Sequence, residues 1–221
     1  YADTSSYRKG PDQLEEKENT GGYLPGITKA QQEMIPAERL VPDLQAAIDA
    51  TRPDLLAITA MSCEFSFLMS FFPSLRIPRE TLVVIGGLHS ILRPEEVVAT
   101  GLFDLVCIGQ GEAVFDEILA LRERGERLDA VAGTFFRDRD RDRDRDRDRE
   151  SASVARHVRR RLLPADELWG TDTDYSLFAD RYFLHPFDGR MVRMFWMEVA
   201  RGCPYTCTYC GNSALKKIYR G

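Results

Sequence analysis

Thr81-Leu82-Val83-Val84-Ile85-Gly86-Gly87-Leu88-His89 is the stretch that decides the fold. An apolar run rich in β-branched residues ends in two glycines, and a helical pattern follows. A continuous apolar run, unlike an alternating one, predicts a strand covered on both faces. Two further runs share this form. Leu55-Leu56-Ala57-Ile58-Thr59 leads into Ala60-Met61-Ser62, and Asp104-Leu105-Val106-Cys107-Ile108 leads into Gly109-Gln110-Gly111-Glu112. A predicted helix over Glu112 to Arg124 precedes a fourth run, Val131 to Phe136. Upstream, Leu40, Val41, Leu44, Ala47, Ile48 and Ala50 recur close to helical spacing. Pro42-Asp43 suits the first turn of that helix, and Arg52-Pro53 ends it. Strands alternating with helices predict an α/β fold, a Rossmann-like parallel sheet buried on both faces.

In such sheets ligands bind outside the carboxyl ends of the strands. Those ends carry Thr59 and Ser62, then Gly86, Gly87 and His89, then Gly109, Gly111 and Glu112. Glycines there let a large flat ligand approach the backbone. The same glycines also suit tight strand-to-helix turns for steric reasons alone.

A second signal lies near the C-terminus, in Arg201-Gly202-Cys203-Pro204-Tyr205-Thr206-Cys207-Thr208-Tyr209-Cys210-Gly211. The spacing is C-x3-C-x2-C. Three thiolates this close can reach one small inorganic centre. A four-iron cubane normally takes four cysteines, so three would leave one iron open to an outside ligand. Zinc usually wants a fourth protein ligand. No His follows Cys210, and the nearest preceding one is His185. A disulfide plus a free thiol would suit a secreted protein.

Composition narrows the classes. The chain has 221 residues, room for one large domain or one domain and part of another. Its net charge of −5 gives no basic footprint for nucleic acid. Leu55 to Leu75 is interrupted by Glu64 and Pro73, so it reads as strand, turn and helix rather than a membrane span. No charged-then-apolar leader follows Tyr1, so no signal or transit peptide is expected. Of five cysteines, Cys63 and Cys107 lie outside the triad, in or beside apolar runs, and both are expected to be buried structural thiols. Cysteines left as free thiols point to a reducing, cytoplasmic setting.

The cysteine loop resembles the radical S-adenosylmethionine (SAM) superfamily, whose C-x3-C-x-aromatic-C pattern finds its aromatic in Tyr209. The resemblance implies a 4Fe–4S cluster on Cys203, Cys207 and Cys210, with SAM chelating the fourth iron. It also implies an electron donor such as a flavodoxin or ferredoxin, and a small-molecule substrate that the sequence does not name. Cys63 and Cys107 cannot hold a second three-cysteine cluster, unlike the upstream cysteines of methylthiotransferase-type members.

The upstream region resembles the cobalamin-binding domain that precedes many radical SAM barrels. Ile85-Gly86-Gly87-Leu88-His89-Ser90 with Pro94-Glu95-Glu96 is similar to its G-G-x-H and P-E-E. Asp104 to Glu112 is similar to its D-x-V-x-x-G-x-G-E, and Thr59-Ala60-Met61 stands at its S-x-L position. The resemblance implies cobalamin contacts at Thr59, Ser62, Gly86, Gly87, His89, Gly109, Gly111 and Glu112, with Tyr209 beside SAM. No D-x-H-x-x-G is present, so a histidine on cobalt is not implied.

The expected organisation is an unassigned segment 1–36, a cobalamin-binding domain 37–136, a linker 137–190, and the start of a radical SAM partial barrel 191–221. Met194 to Ala200 is expected as its first strand and Asn212 to Tyr219 as the next helix. Arg137 to Glu150 alternates Arg with acids at zero net charge and is expected to be solvated. The rest of the barrel is expected beyond Gly221. The implied parent is a radical SAM enzyme, using cobalamin for methyl transfer or another radical transformation. Two other readings stay open: a docking module without cobalamin, and a non-catalytic iron–sulfur protein.

Overall fold

The structure is a computed structural model describing residues 7–8, 35–136, 174–178, 180–187, 190–195 and 203–219. It divides into two compact units, Tyr1–Ala50 with Asp172–Arg201, and Thr51–Thr171 with Gly202–Gly221. In chain order the strands are β1 (Tyr7–Arg8), β2 (Ile35–Pro36), β3 (Leu55–Thr59), β4 (Leu82–Gly86), β5 (Leu105–Cys107), β6 (Thr134–Phe136), β7 (Leu184–Phe187) and β8 (Arg190–Arg193). The α-helices are α1 (Leu40–Thr51), α2 (Ser62–Phe71), α3 (Leu88–Leu92), α4 (Pro94–Ala99), α5 (Glu112–Glu123) and α6 (Asn212–Tyr219). Among the described residues no helix is long and apolar enough to cross a membrane. The Arg/Asp alternation of 137–150 lies outside the described residues.

The second unit is α/β. Its sheet runs β3-β4-β5-β6, with β3, β4 and β5 mutually parallel. Thr59 pairs with Gly86, and Ile85 with Val106, so the three candidate loops leave the same end of the sheet. β6 departs from the expected all-parallel order: it is antiparallel to β5, with Cys107 opposite Thr134. Much of the apolar run expected to form this strand lies in a return segment. Leu128 and Val131 are buried in the core before the strand begins. Gly133 turns the chain at φ +80°, and the Ile108 N–H donates to its carbonyl at 2.8 Å. β6 therefore enters the sheet from the carboxyl end of β5.

β4 and β5 are buried on both faces, as a continuous apolar run requires. On one face Leu82, Val84, Leu105 and Cys107 pack with Val114 and Ile118 of α5. On the other, Val83, Ile85 and Val106 are buried, and α3 and α4 pack on these strands. Each fully buried aliphatic side chain stabilises the unit by about 1.5–3 kcal/mol. β3 is less covered than expected: it is the edge strand, and Ala57 and Thr59 are exposed. The connections after β4 and β5 leave toward opposite faces. The carboxyl ends of β3, β4 and β5 lie at one end of the sheet, the end at which ligands of open α/β sheets sit.

Asp104 extends the β4–β5 pairing with its side chain. Its Oδ2 accepts the Val83 N–H at 2.8 Å, and its own N–H donates to the Val83 carbonyl at 2.8 Å. Asp104→Ala is expected to leave a buried N–H unpaired and to destabilise the unit by about 1–3 kcal/mol. Chemical denaturation measures this, and an unchanged midpoint would show that the carboxylate is dispensable.

The first unit contains a hairpin that crosses the expected boundary between the linker 137–190 and the segment 191–221. β7 and β8 pair antiparallel, His185 opposite Val192. Phe183, Tyr175 and Phe195 form an aromatic cluster beside it, with ring centroids 4.9–5.6 Å apart. The Arg193 guanidinium lies 5.3 Å from the Phe195 centroid and reaches Asp180 at 2.8 Å. Asp174 caps the turn at Tyr175; hydrogen bonds from the Ser176 side chain and backbone hold its carboxyl below the ordinary value. Of the strand expected over Met194 to Ala200, Met194 and Phe195 follow β8 outside any strand, and 196–200 lie outside the described residues.

Candidate functional site

The candidate site is the surface at the carboxyl ends of β3, β4 and β5. Thr59 closes β3 and Ser62 opens α2; both are exposed. Gly86 closes β4, and Gly87 is the residue before α3. Gly109 and Gly111 lie between β5 and α5, and Glu112 opens α5. The fold thus brings together at one sheet edge all the upstream residues that the sequence singled out.

Their roles differ. Gly87 has φ +91°, and a Cβ there would lie 2.7 Å from the backbone N and O of Ala60 and from Thr59 Oγ1. It is the point where the β3 and β4 loops touch, so it serves the fold first. Gly109, at φ +102°, is likewise demanded by its backbone. Gly86 and Gly111 are different. A Cβ at Gly86 would meet Cys107 Cβ at 3.6 Å, and one at Gly111 would meet Phe115 Cδ2 at 3.9 Å. Those are ordinary contacts, so both positions have room for a Cβ.

His89 was expected in a loop, free to meet a ligand. It lies instead in α3 and is only 5% exposed. Its ring stacks on Phe65, centroids 4.1 Å apart and planes 21° from parallel. Nδ1 is 3.1 Å from Ser62 Oγ, and the His89 N–H donates to the Ala60 carbonyl at 3.1 Å. His89 therefore ties α2 and the β3 loop to α3. Glu96 Oε1 stands 3.9 Å from Nε2. Glu64 was read only as an interruption of an apolar stretch. Its Oε2 accepts the Met61 N–H at 2.8 Å, closing the first turn of α2. The spacing is that of a capping box, but with Met61 at the cap the sequence carries only the glutamate half of the signal.

The cysteine loop belongs to the same unit as these strand ends. Cys203 and Cys210 are half-buried, Cys207 is exposed, and none forms a disulfide. The Cys210 N–H donates to the Cys207 carbonyl at 3.2 Å, and α6 follows as expected. Tyr209 is 91% exposed, free to lie along a ligand of the loop. α6 packs against α3, and a Cβ at Gly211 would lie 3.8 Å from Leu92 Cδ1. The loop and the strand ends thus share helix α3 as a common support.

The donor chemistry suits an iron–sulfur centre: three free thiols, one of them open to solvent, on a short loop. Among the described residues, no three His, Cys, Asp or Glu side chains are gathered as a metal site. Assembly of a centre would therefore have to draw these thiols inward. Cys107 is buried, as expected. Cys63 is exposed, contrary to expectation, because α2 turns that side away from the sheet and buries Phe65 and Phe71 instead.

No family model and no solved structure matches the chain. Curated relatives are distant. The chain is 22% identical over 211 residues to the anaerobic magnesium-protoporphyrin IX monomethyl ester cyclase of Rubrivivax gelatinosus, covering 90% of this chain and 35% of that protein. It is 24% identical over 184 residues to the protein of the same name from Cereibacter sphaeroides, covering 76% of this chain and 26% of that protein. It is 26% identical over 184 residues to an uncharacterized methyltransferase of Pyrococcus horikoshii, covering 81% of this chain and 36% of that protein. The chain therefore spans about a third or less of the length of these relatives, and the similarity is to a cyclase and a methyltransferase.

Proposed function

We propose that the chain is the cofactor-holding portion of a radical SAM enzyme that carries out a cyclisation or a methyl transfer. The carrying observation is that the C-x3-C-x2-C loop and the glycine-bearing strand ends lie in one compact unit, joined through α3. Distant similarity to a cyclase and to a methyltransferase supports the same class. Cys203, Cys207 and Cys210 would hold a 4Fe–4S cluster as thiolates, leaving one iron to the amino and carboxylate groups of SAM. When bound, that pair supplies one-electron cleavage of SAM to a 5′-deoxyadenosyl radical. Tyr209 offers an exposed ring to the adenosyl group. A soluble, reducing setting and a small electron-transfer partner go with this reading.

Cobalamin is the finer part of the proposal. Gly86 and Gly111 have room for a Cβ, and Thr59 and Ser62 are exposed residues at the same end of the sheet. A corrin and its tail would lie over these strand ends, with the Thr59 hydroxyl against its amides and that of Ser62 shared with His89. One observation favours the runner-up, a docking module without cobalamin. Gly87, Gly109, Asp104 and His89 are each accounted for by the fold itself.

Equilibrium binding of hydroxocobalamin separates the two. Gly111→Leu, at a position whose Cβ would meet only an ordinary contact with Phe115, is expected to weaken binding about tenfold or more while leaving the thermal midpoint within a few degrees. A folded wild-type chain that takes up no cobalamin would decide for the docking module.

A further inference from the structure

The cysteine loop has little apolar anchorage. Tyr205 is 71% exposed and Tyr209 91% exposed. Burial therefore does not fix its shape, and its backbone carbonyls need other partners. Two side chains of α6 supply them. Lys216 Nζ donates to the Tyr205 carbonyl at 2.6 Å, reaching back across eleven residues. Ser213 Oγ donates to the Cys207 carbonyl at 3.1 Å, beside the Cys210 N–H on the same oxygen. α6 is itself seated on α3, with Gly211 close against Leu92.

We propose that Lys216, assisted by Ser213, is a positioning residue that clamps the cysteine loop for its metal centre. The inference rests on the cluster reading above for the identity of that centre, but the clamp stands on the hydrogen bonds alone. Lys216 binds the carbonyl midway between Cys203 and Cys207, and Ser213 binds that of Cys207. Together they fix the backbone at Tyr205 and Cys207 against α6 before any metal arrives, leaving the thiol side chains to turn toward a centre. The ammonium also brings a positive charge to a loop whose three thiolates and cluster would carry net negative charge. That charge favours the reduced cluster over the oxidised one. Neither side chain reaches the reacting atoms.

The test uses the whole chain, first without metal and then reconstituted with ferrous iron and sulfide under anaerobic conditions. In the metal-free chain, exchange of the Cys210 amide is expected to speed up several-fold in Lys216→Met and in Ser213→Ala, and to return toward wild type in Lys216→Arg. Circular dichroism melting confirms that each variant remains folded. After reconstitution, Lys216→Met is expected to lose iron to a chelator several-fold faster than wild type and to show a lower midpoint potential by electron paramagnetic resonance titration. Lys216→Arg is expected to restore both. Unchanged Cys210 exchange in both Lys216→Met and Ser213→Ala overturns the clamp. Faster exchange with unchanged iron loss and potential overturns its role toward the centre. If wild type takes up no iron but Cys210 exchange still accelerates in the variants, the clamp stands and the cluster reading falls.

Discussion

Gly87→Ala is expected to destabilise the α/β unit by about 2–6 kcal/mol, combining positive-φ strain with forced displacement of a neighbouring loop. Gly87 has φ +91° and ψ −179°, a region that side-chain-bearing residues rarely enter. A Cβ would also lie 2.7 Å from the Ala60 backbone, which cannot swing away as a flexible side chain can. The Ala60 carbonyl accepts the His89 N–H and the Ala60 N–H donates to the Gly86 carbonyl, so displacing that loop also weakens both bonds. Gly86→Ala is the matched control, one residue away with an ordinary 3.6 Å contact, and is expected to change stability by about 1 kcal/mol or less. Urea denaturation of both variants checks this. A Gly87→Ala midpoint equal to that of Gly86→Ala would show that the β3 and β4 loops do not meet as described.

The cysteines carry the second large effect. Cys203→Ala, Cys207→Ala and Cys210→Ala are each expected to abolish assembly of the iron–sulfur centre, because each removes one of three protein ligands. Cys63→Ala is expected to leave iron content unchanged: it is exposed on α2 and stands outside the ligand spacing. Cys107→Ala should also keep its iron but lose stability, since that thiol is packed in the core with Leu82 and Val84. Iron and sulfide analysis after anaerobic reconstitution reads all five variants. Full iron in any triad variant would remove that residue from the ligand set.

Strand positions were legible because burial writes directly into composition. Val83-Val84-Ile85 and Leu105-Val106-Cys107 are apolar throughout because both faces are covered. β3 read the same way, yet it is an edge strand: Leu55 to Thr59 is no less apolar for lying at an edge, so the sequence does not distinguish the two. The direction of β6 was hidden for a related reason. Val131 is as buried as a strand residue but sits in a return loop, and burial alone does not specify backbone direction.

At the site, the glycines marked the loops, but their φ angles decide which of them the backbone requires. His89 looked like a ligand-facing group. Its pairing with Ser62 spans 27 residues, and such long-range partners leave no local trace in the chain. The hairpin of Leu184–Phe187 with Arg190–Arg193 was missed because its strands are short and interrupted by His185, Pro186, Arg190 and Arg193. Asn212–Tyr219 was read correctly, having no Gly or Pro within it and a glycine directly before it.

The most direct test of the central claim is electron paramagnetic resonance of the anaerobically reconstituted, dithionite-reduced chain, recorded before and after adding SAM. The account predicts about four irons and four sulfides per chain, the signal of a reduced 4Fe–4S cluster, and a change in that signal as SAM takes the open iron. A chain that binds zinc instead, or no metal at all, would contradict it.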